Sequence, residues 1–137
     1  MSAIYLDSTA FIWPALYEDK KAMAARDLIK NIREGRQNAA TSVLTFDEVV
    51  WKIKKERTLD AALMAGNAIL QMSGLSLIEV NHETLLKAYE LIELYKLHPR
   101  DAIHAACAIN KNIMIIISED KDFDKIKELK RKSLSEL

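Results

Sequence analysis

The chain has 137 residues, with twenty acidic and twenty basic side chains in balance, half of its residues hydrophobic, and only three glycines and two prolines. This composition excludes a disordered or low-complexity chain and fits one domain over residues 1–137. Zero net formal charge gives no global field for nucleic acid, so any such contact needs a local patch; it also suits self-association or a protein partner. The longest purely apolar run, residues 113–117, is too short to span a bilayer, and no basic start with an apolar signal stretch opens the chain. The expectation is a cytoplasmic chain with no membrane role. A single cysteine, Cys107, excludes an internal disulfide and, in its Ala/Ile pattern, reads as a small packing residue.

The first element is a short apolar strand, residues 4–6, that runs directly into Asp7, Ser8 and Thr9. An acid at the tip of a core strand must find partners or water. A first helix follows, which Trp13-Pro14 is expected to interrupt early, because proline lacks a donor and disfavours helical geometry before it. Residues 20–34 place Ala25, Leu28, Ile29 and Ile32 on one helical side, with Gly35 as a stop. Residues 38–42 form a weak strand candidate. Helical patterns then occupy 43–57 (Phe46, Val49, Val50, Ile53) and 59–73 (Ala62, Leu63, Gly66, Ile69, Leu70). A strand over 75–80 leads to a helix over 83–96 and an alanine-rich helix over 99–110, with Pro99 suited to its first position. The apolar run 113–117 is the clearest strand, of the kind covered on both faces. The basic tail "KIKELKRKS" reads as a surface helix.

Alternating strands and helices predict an α/β fold with a mainly parallel sheet between helical layers. Ligands of such sheets bind beyond the carboxyl ends of the strands, at a switch in strand order. Asp7 lies just past the first strand and Asp120 just past the run 113–117, so parallel strands bring both to one edge.

Each acid also has an ordinary structural role open to it. Asp7 suits the N-cap of a helix starting at Ser8 or Thr9. "TFDE" from Thr45 matches a capping box that would engage Glu48, but the helical pattern begins near Ser42 or Val43, which leaves Glu48 a turn and a half in, near Leu44 and Trp51. Asp101 suits the positive end of the helix dipole in "HPRDAIHAACAI", where His104, three residues on, shares its face as a packing or hydrogen-bonding residue. "SEDKDFDKI" reads as a solvated acidic loop, although it follows a buried strand directly and carries Phe123 as an anchor. It is not a calcium-binding loop, because Lys125 stands where the glycine is needed and no glutamate closes it.

If Asp7, Glu48, Asp101 and Asp120 converge, each pair ~5 Å apart repels by roughly 3 kcal/mol at an effective dielectric near 20. Such a cluster favours protonation or capture of a cation. Oxygen-only donors suit Mg²⁺ or Mn²⁺; His82, His98, His104 and Cys107 show no zinc spacing. A divalent ion so held serves in-line displacement at a phosphate without a protein nucleophile.

Over nearly its full length the chain resembles the PIN-domain family, specifically its VapC-type toxin ribonucleases. The resemblance rests on "IYLDSTAF", Glu48 in "SVLTFDEVVWKI", Asp101 in "HPRDAIHAACAI" and "IIISEDKDFDKI", taken in order and spacing. It implies a three-layer α/β/α sandwich with a central, mainly parallel sheet and a Mg²⁺- or Mn²⁺-dependent endoribonuclease, usually a homodimer, inhibited by a VapB-type antitoxin. By position it implies Asp7, Glu48, Asp101 and Asp120 as metal-binding acids, and Asp122 as a further ligand or a group hydrogen-bonded to one. Thr9 and Ser118 match hydroxyls that hydrogen-bond the carboxylates or a metal-bound water. Ser8 departs from a commonly threonine-like position, and few bases lie near the centre: Arg100 beside Asp101, and Lys52, Lys54, Lys55 and Arg57 after Glu48.

A reading from another class is a non-catalytic module whose acidic pocket binds a cation or a protein partner, with Phe11, Trp13, Tyr17 and Trp51 as its contact surface. A phosphatase or response-receiver fold also places an acid after its first strand, but Thr9 stands where the phosphatase pattern wants a second acid.

Overall fold

The side chains of the first strand point alternately to two separate cores. The computed structural model describes residues 2–137. In β1 (Ile4–Leu6), Ile4 and Leu6 enter one apolar cluster while Tyr5 enters the other, as the two-residue period of a strand requires. The same split recurs in β2 (Ala39–Ser42), with Ala39 against Ala40, and in β4 (Ile115–Ile117), with Ile117 against Ile116.

With β3 (Leu75–Ile78) and β5 (Lys130–Lys132) these strands form a five-stranded sheet of order β3-β2-β1-β4-β5, and every pairing is parallel. One face is covered by α1 (Thr9–Leu16), α2 (Lys20–Arg33), α3 (Val43–Glu56) and α4 (Leu59–Gln71). The other is covered by α5 (His82–Tyr95), α6 (Pro99–Asn110) and the 3-10 helix Lys121–Lys125, whose Phe123 is fully buried. The result is the expected three-layer α/β/α sandwich. The chain leaves β1 for β2 and β3 on one side and returns to β4 and β5 on the other. The crevice between the carboxyl ends of β1 and β4 is therefore the switch point of the sheet.

Three expectations are corrected, and one open alternative is decided. Pro14 does not interrupt α1 early: the helix continues to Leu16. The basic tail is no helix, because "KRK" pairs with β4 as an edge strand, where charged side chains remain half-exposed or exposed and discourage further pairing. The capping box at Thr45 is absent: the N-cap of α3 is Ser42, and Thr45 lies inside the helix, its hydroxyl 2.6 Å from that of Thr41. The strand at 113–117 is shorter than expected, starting only at Ile115. Among the described residues no helix is long and apolar enough to cross a membrane.

Phe123 fastens the segment after β4 to the α5/α6 core. Replacing it by Ala is expected to destabilise the protein by about 3–5 kcal/mol, checked by denaturant unfolding. The same variant should show greater hydrogen exchange at Asp120–Asp122 than in strand β1.

Candidate active site

The crevice at the switch point is built from four segments. Asp7 follows β1 and is buried, one oxygen accepting from the Thr9 backbone N–H at 2.9 Å and from the Thr9 hydroxyl at 2.5 Å. Asp7 is not the N-cap, which is Ser8 and makes no side-chain cap; one residue earlier, Asp7 accepts from the first amide of α1. Burial pushes the Asp7 carboxyl above its ordinary range, against the pull of His104 and of hydrogen bonds from Ser118 and Thr9. Ser118, fully buried at the end of β4, accepts from the Asp120 backbone N–H at 2.9 Å, so its hydroxyl ties the two sides of the crevice together.

The acidic run after β4 is divided by use. Glu119 turns away, pairing with Lys21 at 3.0 Å and accepting from Ser133 and the Leu134 amide; burial opposes these partners, yet they hold its carboxyl below the ordinary value. Asp124 is gripped by Arg131 at 3.0 Å. Asp120 and Asp122 remain. Asp120 accepts from the Asp122 amide at 2.9 Å, and together with Asp101 they offer carboxylate oxygens within 4.8 Å of one another, all half-buried. Asp122 also faces Lys125 at 3.4 Å.

Asp101 sits in the first turn of α6, after Pro99. Desolvation, the hydrogen bond to Asp120 and the charges of Asp120 and Asp7 push its carboxyl up to about 7, with His104 pulling the other way. Asp101 therefore still carries a proton in part of the molecules near neutrality.

Glu48 reaches the same edge from the opposite helical layer. One of its oxygens lies 2.5 Å from His104 Nε2, and His104 Nδ1 lies 2.7 Å from the Tyr5 hydroxyl. Tyr5 and His104 are buried, and burial raises the Tyr5 phenol well above its ordinary value, so it keeps its proton. Nε2–H donates to the Glu48 carboxylate, which accepts only, and Nδ1 is hydrogen-bonded to the Tyr5 hydroxyl.

All five acids singled out in the sequence thus lie around one crevice. Asp101, Asp120 and Asp122 form the tightest group; Asp7 adjoins Asp101 electrostatically, and Glu48 is linked through His104. Sequence reading undervalued His104, although its three-residue spacing from Asp101 put it on the right face. It missed Tyr5, whose position opposite Ile4 and Leu6 in the strand alternation was the available signal. Cys107 is buried, its thiol pushed up to about 11, which suits packing and not nucleophilic attack. Of the proposed contact aromatics, Phe11 is buried in the core and Trp13 half-buried, while Tyr17 and Trp51 are exposed.

The donor set fits a hard divalent ion. It consists of three carboxylates with no imidazole or thiolate among them, and Asp101 carries a raised pKa that a cation would relieve. An acid whose folded pKa is raised stabilises the fold at low pH and loses that contribution as pH rises through about 7. In metal-free buffer, Asp101→Asn is therefore expected to melt close to the wild type near pH 4 and clearly above it at pH 8. Parallel melting curves across that range would contradict the assignment.

A family model for the PIN domain matches residues 4–129. No curated protein matches by sequence. Among solved structures, the fold is similar to VapBC2 from Rickettsia felis bound to a DNA fragment from their promoter (TM-score 0.73, 15% identity, 96% of this chain and 98% of that one). It is similar to VapC20 of Mycobacterium tuberculosis, a sarcin-ricin loop cleaving toxin (TM-score 0.73, 18% identity, 88% and 92%). It is also similar to a toxin-antitoxin complex from Klebsiella pneumoniae (TM-score 0.67, 22% identity, 94% and 96%). With a model match across nearly all of its length and an acidic crevice at the switch point of a parallel sheet, this chain belongs to the PIN domain family.

Proposed function

We propose that this protein is a Mg²⁺- or Mn²⁺-dependent endoribonuclease, the cytoplasmic toxin of a VapBC-type pair. The observation that carries the reading is the convergence of Asp101, Asp120 and Asp122, with Asp7 and Glu48 beside them, at the sheet edge where α/β folds bind ligands. Family membership supports nuclease chemistry, and the sarcin-ricin loop cleaving relative supports RNA as the substrate. The VapBC relatives support a VapB-type antitoxin as partner. Exposed Leu59, Leu63, Met64 and Leu70 on α4, with Leu85, Leu86 and Tyr89 on α5, give apolar area suited to a homodimer and to that antitoxin.

Asp101, Asp120 and Asp122 would hold the ion, with Asp7 and Glu48 beside the same crevice. A bound divalent ion supplies Lewis-acid chemistry, lowering the pKa of a water and drawing charge from the phosphate. The chain's own residues do the rest. Thr9 and Ser118 fix the Asp7 carboxyl, Ser118 also fixes the backbone at Asp120, and His104 holds Glu48 against rotation. Because Asp101 must give up its proton to act as a ligand, affinity for a divalent ion is expected to rise with pH through about 7.

Asp101→Asn and Asp7→Asn are expected to abolish Mg²⁺-dependent RNA cleavage with circular dichroism unchanged, since Asn at position 7 still accepts from the Thr9 amide. Full cleavage by both would refute the reading. An acidic pocket that only binds a cation or a protein is the alternative, and tight antitoxin binding with no cleavage in Mg²⁺ or Mn²⁺ would favour it. His104→Ala should weaken Mn²⁺ binding by roughly 10-fold or more, measured by calorimetry, with His104→Gln recovering part of the loss.

A further inference from the structure

Beside the acid cluster, a groove of about 390 Å³ is lined by Ser8, Ile12, Asp47, Glu48, Trp51, Lys52 and Arg100. Its volume lies at the lower end of the range for small-ligand sites, about 300–1,000 Å³. Its centre is Trp51, which is 58% exposed although tryptophan is the side chain that gains most from burial. The Lys55 ammonium lies 4.9 Å from the ring centroid, so the indole is held under a cation without being covered by apolar side chains.

The placement follows from helix geometry. Glu48, Trp51, Lys52 and Lys55 stand at i, i+3, i+4 and i+7 of α3 and share one stripe. Trp51 is therefore about 4.5 Å along the axis from the carboxylate that His104 holds. Arg100, next to Asp101, makes no hydrogen bond or ion pair among the described residues, and it closes the groove from the α6 side. Lys52 pairs with Glu56 at 3.3 Å, an exposed contact that a phosphate competes with easily. An aromatic side chain in a groove that Lys52 and Arg100 line together with Asp47 and Glu48, with Lys55 over the ring, matches the stacking platform and cationic track by which proteins hold single-stranded nucleic acid. An amphipathic helix from a protein partner wants a continuous apolar stripe, and Ile12 and Trp51 alone do not supply one.

We infer that this groove is a nucleotide subsite. Trp51 stacks on the base next to the cleaved phosphodiester, and Lys52 and Arg100 take the flanking phosphates. The inference rests on the ribonuclease reading and gives it a register, fixing an unpaired base beside the reacting phosphate.

The test uses the full chain with single-stranded homopolymer oligoribonucleotides. In Mn²⁺, Trp51→Ala should raise KM by roughly 10-fold while kcat falls far less, and Trp51→Phe should recover most of the KM. In Ca²⁺, oligonucleotide binding should quench wild-type tryptophan fluorescence and leave the emission of Trp51→Phe, which retains only Trp13, unchanged. Equal KM values for wild type and Trp51→Ala, or quenching that survives Trp51→Phe, overturn the subsite. So does a Trp51 signal that responds to the antitoxin and not to RNA, which would assign the face to protein. Quenching at Trp51 with no cleavage by the wild type upholds base stacking in the groove but refutes the nuclease reading, and with it the register beside a cleaved phosphate. Cleavage that is lost in Asp101→Asn yet indifferent to Trp51 refutes the subsite alone.

Discussion

Mutual repulsion among carboxylates in a half-dry crevice is the constraint on which this structure depends. Asp7 is buried and Asp101, Asp120 and Asp122 crowd within 4.8 Å, an arrangement that works against folding at neutral pH unless a proton or a cation enters. The raised Asp101 pKa is the signature of that conflict. A chain under selection for stability alone would place apolar or paired residues here, as it does for Glu119 and Asp124 a few positions away. The crowded acids mark a place where stability has been given up, the pattern in which functional sites are found.

The fold makes the arrangement possible through topology. Because β1 lies between β2 and β4, the chain diverges at its carboxyl end and leaves an opening that no crossover fills. Helices α3 and α6 approach that opening from opposite layers, and the Glu48–His104 contact joins them across it. Tyr5 anchors the joint from the central strand. Phenol, imidazole and carboxylate form one hydrogen-bonded chain, so each member is satisfied and the imidazole is fixed in orientation. Removing any one member leaves a buried polar group without a partner, which is why such chains hold a single geometry.

How much of this was legible in the sequence depends on the range of the signal. Strands β1 to β4 and the long helices were readable because apolar periodicity is local. The crevice was readable because parallel strands bring their ends to one edge whatever the details of packing. The edge strand β5 was not: "KRK" has no apolar pattern, and its conformation is set by pairing with Ile115–Ile117. The passage of α1 through Pro14 was also hidden, since the proline lies near the end of an eight-residue helix, where few backbone bonds are lost. His104 looked like packing because its partners are 99 and 56 residues away in the chain.

The sorting of "SEDKDFDKI" shows why composition alone misleads. Four acids in a row of nine residues look equivalent, and a solvated loop is the natural reading. Burying Phe123 breaks the equivalence: it pins a 3-10 turn, and in a turn of that period successive side chains diverge sharply. Asp120 and Asp122 are thereby aimed at Asp101, while Glu119 is aimed at Lys21 and Asp124 at Arg131. A basic partner beside either Asp120 or Asp122 as close as those two would quench the site. The nearest, Lys125, stands at 3.4 Å on a half-exposed side chain, a contact weak enough to yield to a divalent ion. One buried aromatic and two well-placed bases thus separate the acids held in ion pairs from the acids that converge on the crevice.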